Sequence, residues 1–170
     1  MRKFLFGVVV NLVLSFALSF TVTVATNTYN GLPINPSTVL TPLLWGTLIG
    51  TITTTIIPVN KIGIKFATLN NAGPETGLCA LYKNFVILAI MVPIMNFFVT
   101  GIMIGFFTQE FFNAWLCPIA TVYPVGYVTS LIIEPIGMFV ARKLTGFDPM
   151  AASAEARLAD QGEGALAGGR

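Results

Sequence analysis

At 170 residues the chain has the length of one domain, yet 55% of its residues are hydrophobic and only 9% are charged, against the roughly 25% charged that a soluble globular domain carries. A soluble fold of that composition would lack the polar surface to cover itself, which leaves the lipid bilayer as solvent. A formal net charge of +2, no His and two Cys exclude the dense basic stripe of a nucleic-acid binder and the ligand spacings of zinc and haem sites, so neither metal nor cofactor is expected.

The first apolar block covers residues 4–25, FLFGVVVNLVLSFALSFTVTVA. A helix of that length, rising 1.5 Å per residue, crosses about 30 Å of hydrocarbon. The block follows Arg2 and Lys3, as the h-region of a signal peptide follows its basic n-region. Its length exceeds the usual h-region of about 7 to 15 residues, and no small-x-small cleavage site with a soluble domain follows, so a retained span is expected. Residues 27–38, NTYNGLPINPST, are an uncharged connection with turn chemistry.

The second block, residues 39–58, carries Gly46 and Gly50 one turn apart and then Thr51, Thr53, Thr54 and Thr55. In water such a threonine run suggests a strand. In lipid an isolated strand leaves its backbone unsatisfied, so a helix is predicted, with each hydroxyl bonding back to a carbonyl three or four residues earlier. Residues 60–83 form the longest interior connection, with Lys61, Lys65, Glu75, Lys83 and the turn sequence NNAGPETG. Its opening, KIGIKFATL, is amphipathic and is expected either to continue the second helix or to lie along the interface.

The third block, residues 85–108, contains Pro93, Asn96, Thr100, Gly101 and Gly105, and a short break is expected around Gln109 and Glu110. The fourth, residues 112–141, is long and holds Pro118, Pro124, Pro135 and Glu134. It is expected to be tilted, kinked or extended beyond the bilayer. From Gly146 the composition turns to Ala, Gly and small polar residues, read as a flexible cytoplasmic tail over 146–170 with a short helix over 151–158. The fold class is thus all-α: a polytopic membrane protein whose domain, residues 1–145, has four transmembrane helices arranged as two hairpins.

All nine basic residues, from Arg2 to Arg170, fall in the N-terminus, the central connection and the C-terminal segment. The positive-inside rule then puts both termini and the central connection in the cytoplasm, for a multi-pass protein of the bacterial inner membrane. This topology sets Cys79 and Cys117 near opposite faces, beyond the Cα separation of about 7 Å that a disulfide spans. An impermeant thiol reagent is accordingly expected not to reach Cys79 in intact cells.

The two halves share a plan. Each has a polar-dotted span, an outer turn, a second span with Trp near its outer end (Trp45, Trp115) and a basic exit, and the exits IGIKFA (62–67) and IGMFVA (136–141) look alike. The polar-dotted stretch from Asn11 to Thr21 and the stretch VYPVGYVTSLIIEPIGMFVARKL resemble the domain of unknown function 2798 family, short bacterial inner-membrane proteins built from one two-helix hairpin, here apparently present twice. The resemblance covers about 130 residues of a family without a known activity, and it implies membrane location and hairpin architecture only.

Glu134 is the only acid inside a predicted span. It lies eight residues before Arg142, about 12 Å along a helix and shallow on the cytoplasmic side. An ionisable group there is a candidate proton or cation site, or an acid paired with Lys61, Lys65 or Lys83. Asn11 and Asn96 are the most polar residues of the first and third spans, near Ser15 and Thr100, and serve either a polar path or helix-to-helix hydrogen bonds. The Gly46/Gly50 and Gly101/Gly105 pairs offer close packing to the fold or to a second copy.

No nucleotide-binding glycine loop, paired acids within a span, or serine elbow is present, and no catalytic residue is assigned. Tyr127 and Glu134 share one helix face, seven residues apart. The leading expectation is a structural or accessory unit that self-associates or joins another membrane protein, in contact with membrane lipids and without nucleic acid. The alternative is a small homo-oligomeric transporter or channel for an ion or small solute, with Asn11, Thr51, Thr54, Asn96, Thr100, Tyr127 and Glu134 around its path.

Overall fold

The computed structural model describes residues 1–73, 76–149 and 151, and every regular element among them is helical. Six helices follow in chain order: α1 (Arg2–Tyr29), α2 (Pro36–Ile56), α3 (Val59–Leu69), α4 (Gly77–Ile104), α5 (Gln109–Leu116) and α6 (Ile119–Thr145). Four stretches are long and apolar enough to cross a bilayer, namely α1, α2, α4 and the α5–α6 pair. The chain is therefore an all-α membrane protein. Residues 152–170, and with them most of the expected tail and its helix over 151–158, lie outside the described residues.

Local chemistry explains where the helices start and stop. Asn35 and Thr38 form a reciprocal capping box at the start of α2, with Thr38 N–H donating to Asn35 Oδ1 at 3.0 Å and Asn35 N–H to Thr38 Oγ1 at 3.2 Å, and Pro36 occupies the first turn, where its missing N–H costs nothing. Pro58 ends α2, leaving Ile57 extended, so KIGIKFATL belongs to a separate helix and does not continue α2. Thr76 caps α4 by accepting from Cys79 N–H at 3.2 Å, which starts the third span eight residues ahead of the expected 85.

The break after the third span falls at Gly105 rather than at Gln109 and Glu110. Gly105 has φ +90°, a conformation closed to side chains with a Cβ, and Thr108 then caps α5, which holds Gln109 and Glu110 in its first turn. The expected fourth span, 112–141, is divided at Cys117 and Pro118, where the proline supplies no N–H. Gly146, at φ +62°, closes α6 behind Arg142 and Lys143, two cations suited to the negative end of a helix.

The spans pack in a closed ring, α1 against α2, α2 against α4, α4 against α6 and α6 against α1, with the α1–α6 contact the most extensive. The small residues decide how closely two of them approach. A Cβ on Gly46 would stand 2.6 Å from Ser19 Oγ, and one on Gly50 would stand 2.9 Å from Ser15 Oγ and 3.1 Å from Met95 Sδ. The Gly46/Gly50 face is thus occupied inside the chain, and Gly101 is covered by the Phe106 ring of its own loop. The outward stripe of α2, Leu40, Leu44, Leu48, Ile52 and Ile56, is exposed and wholly apolar, as a surface in contact with lipid tails must be.

The amphipathic helix α3 buries Val59, Gly63 and Ala67, and Gly63 lies directly on the backbone of Lys83. Its Lys61 and Lys65 are exposed beside Ile62, Ile64 and Phe66, the pattern of a helix in the bilayer interface. All described basic residues lie at this one end of the bundle, because α1 begins, α3 and α4 meet, and α6 ends there. The Phe6 and Phe147 rings, 5.6 Å apart, tie the start of α1 to the end of α6. Cys79 is buried at this end and Cys117 exposed near the other, both with free thiols. Burial alone shields Cys79, so its silence toward a thiol reagent carries no information about topology.

Candidate functional site

The polar residues singled out from the sequence divide into two groups at opposite ends of the bundle. At the basic end, Glu134 on α6 is paired with Lys83 on α4 and accepts a hydrogen bond from Asn84 Nδ2 at 2.8 Å. Asn84 is fully buried and its Oδ1 has no hydrogen-bond partner among the described residues. Two tyrosines of α6 clip the same helix along its length. Tyr123 donates to the Phe85 carbonyl at 2.6 Å and Tyr127 to the Leu81 carbonyl at 3.1 Å. Each phenol adds a second donor to a carbonyl of the α4 ladder, a common way to satisfy a hydroxyl within a bundle.

At the other end, α1, α2, α4 and α5 line a half-open cavity of about 310 Å³. Ser19, Thr23, Thr26 and Asn27 line it from α1, while α4 contributes Asn96 and Thr100 together with the apolar Met95, Val99, Met103 and Ile104. None of the described lining residues is ionisable. Asn96 donates to the Trp115 carbonyl at 2.7 Å, and Thr100 reaches Asn96 Oδ1 at 3.5 Å, the outer limit of a hydrogen bond. The hydroxyls of Ser19 and Thr26 have no hydrogen-bond partner among the described residues and are buried behind the cavity surface, that of Ser19 against Gly46. Trp115 fixes this wall by donating from its indole N–H to the Pro93 carbonyl at 3.0 Å. Its ring packs with those of Phe97 and Phe111, at 5.2 Å and 6.1 Å, an aromatic cluster of the kind found at membrane interfaces.

An apolar layer separates the two groups. Leu14 and Leu18 of α1, Leu88 and Val92 of α4 and Val122 of α6 form one buried cluster. Along α4 this layer lies between Asn84 and Asn96, where every side chain is apolar; on α1 the buried Ser15 follows Leu14, and Tyr123 and Tyr127 of α6 pack against the cluster. The remaining candidates do not bridge it. Thr51 donates to the Thr47 carbonyl at 2.8 Å and Thr54 to the Gly50 carbonyl at 2.9 Å, within their own helix. Asn11 is half-buried on α1 and makes no side-chain hydrogen bond among the described residues. The structure thus brings Asn96 together with Thr100 and sets Glu134 and Tyr127 each against a different part of α4, but does not assemble the seven around one path.

Ser19, Thr23, Thr26 and Asn27 were not anticipated as a group. Their signal is the four-residue rhythm Ser15, Ser19, Thr23, Asn27, all buried, which marks a polar stripe winding along a span that is apolar elsewhere. Among the described residues no cluster of His, Cys, Asp or Glu could hold a metal ion.

The fold defines a small polytopic membrane protein with an uncharged cavity at one end and a neutralised ion pair at the other. Comparison with protein-family models, with curated proteins and with solved structures finds no match to this chain.

Proposed function

We propose that the chain is an accessory unit of the bacterial inner membrane, held with its basic end in the cytoplasm and acting in company with another membrane protein, neither as an enzyme nor as a conduit. The observation that carries this reading is the apolar layer of Leu14, Leu18, Leu88, Val92 and Val122. A polar solute crossing that layer would shed most of its hydration against leucine and valine side chains, at a cost of several kcal/mol per unsatisfied group. A route between copies gains no support from the outer faces, since α2 presents Leu40, Leu44 and Leu48 and α6 presents Val128, Ile132 and Phe139. The gathering of Arg2, Lys3, Lys61, Lys65, Arg142 and Lys143 at one end favours the cytoplasmic placement of that end.

The same reading includes a two-hairpin origin related to the domain of unknown function 2798 family. Both exits bury a Gly and an Ala one turn apart, Gly63 with Ala67 and Gly137 with Ala141. They do so in different settings, a separate interfacial helix in the first half and the end of a span in the second.

Native mass spectrometry after gentle extraction tests the proposal. A second membrane protein retained at constant stoichiometry is the expected result. A fixed homo-oligomer that also passes ions or small solutes across liposome membranes would replace the accessory reading with the transporter.

A further inference from the structure

We propose that the cavity at the end of the bundle away from the basic residues is a binding site for an uncharged, hydroxyl-bearing amphiphile, of the chemical class of a monoacylglycerol. The inference goes beyond an accessory role, since such a site acts on lipid whether or not a protein partner is present. Three observations lead to it. The volume of about 310 Å³ holds roughly ten water-sized units at about 30 Å³ each, the lower range of small-ligand pockets and enough for a glycerol head with the first carbons of its chain. None of the described lining residues carries a charge, so a phosphate or ammonium entering it would lose its hydration without a counter-ion among them.

The third observation is the unmet hydrogen bonding. Thr23, 93% buried, lines the cavity and makes no side-chain hydrogen bond among the described residues, Asn27 reaches only the Thr38 carbonyl at 3.4 Å, and Thr100 makes only a long contact to Asn96. A hydroxyl can donate one bond and accept two, so vicinal hydroxyls of a ligand, which both donate and accept, complement these groups. The apolar lining of Met95, Val99, Met103 and Ile104 suits an acyl chain, and methionine adapts readily to such a surface. Polar groups on α1 and on one turn of α4, beside these apolar residues, give the cavity both surfaces that the amphiphile needs.

The test is a lipid titration of the intact protein in detergent, read by native mass spectrometry. The probes are monoolein and oleoyl lysophosphatidic acid, which share a chain and differ by a phosphate in place of a hydroxyl. Saturable binding of monoolein at least tenfold tighter than of the phosphate lipid is expected. Thr23→Val together with Thr100→Val should weaken monoolein at least tenfold, whereas Thr51→Val, outside the cavity, should not change it. If the double variant does not fold, Met103→Trp fills the cavity instead and should abolish binding. Equal affinity for the two lipids, or no saturable retention of monoolein because water alone fills the space, overturns the proposal.

Discussion

Replacing Gly50 by alanine puts one methyl group into the seam between α1, α2 and α4. The added Cβ would lie 2.9 Å from Ser15 Oγ, 3.0 Å from Ser15 Cβ and 3.1 Å from Met95 Sδ. The Ser15 hydroxyl can rotate away and the Met95 thioether can bend, but Ser15 Cβ is fixed to its backbone. The helices must therefore part by a few tenths of an ångström. Overpacking of this kind costs about 1–3 kcal/mol, and the better helix propensity of alanine returns roughly 1 kcal/mol, so a net loss of about 1 kcal/mol is expected. In a Ser15→Gly background the fixed contact is gone and the same substitution should be close to neutral. Equilibrium unfolding in mixed detergent micelles, followed by the fluorescence of Trp45 and Trp115, measures both backgrounds. A coupling below about 0.3 kcal/mol between the two sites would falsify the packing argument. So would a Gly50→Ala variant that keeps its stability but loses self-association in cross-linking, because the glycine face would then belong to a second copy.

Three further substitutions probe the other contacts. Lys83→Met leaves the largely buried Glu134 carboxylate with Asn84 alone, for an expected loss of about 1–3 kcal/mol in the same unfolding assay; adding Glu134→Gln should restore part of it, and a double variant worse than the single one would remove the pair from the account. Tyr123→Phe deletes the 2.6 Å bond to Phe85 and should cost about 1 kcal/mol, more than Tyr127→Phe, whose bond to Leu81 is 3.1 Å long; the reverse order contradicts the geometry. Gly105→Ala forces a Cβ into a backbone at φ +90° and should destabilise by about 1–3 kcal/mol, so an unchanged midpoint argues against that turn.

Much of the architecture follows from residue patterns that physics constrains tightly. Four apolar blocks are enough to locate four spans, because in lipid the backbone has no other way to satisfy itself. The threonine run was readable for the same reason: Thr51, Thr54 and Thr55 bond back to carbonyls of α2, as Thr47 before them does, whereas Thr53 makes no side-chain hydrogen bond among the described residues. Boundaries were less legible. The start of α4 depends on Thr76 finding the Cys79 amide, and the independence of α3 depends on Gly63 nesting against Lys83, a tertiary contact without a local signal. The cavity was half visible. Asn96 and Thr100 stood out as polar residues in an apolar span, but apart from Asn27 the polar lining on α1 consists of hydroxyls that a hydropathy scale hardly distinguishes from their neighbours. Asn11 drew attention by its polarity instead, although it lies outside the cavity lining.

A single-cysteine scan along α4 addresses the central claim, that an apolar layer seals this bundle between its cavity and its basic end. The native Cys79 and Cys117 are first replaced by serine, and one cysteine at a time is placed at Asn84, Leu88, Val92, Asn96 and Thr100 in a protein reconstituted with its topology intact. A small, membrane-impermeant thiol reagent applied from each side in turn should react at position 100 from the side of the cavity alone, and at positions 88 and 92 from neither. Reaction at 88 or 92 would reveal water crossing the layer and would contradict the sealed, accessory reading in favour of a conduit.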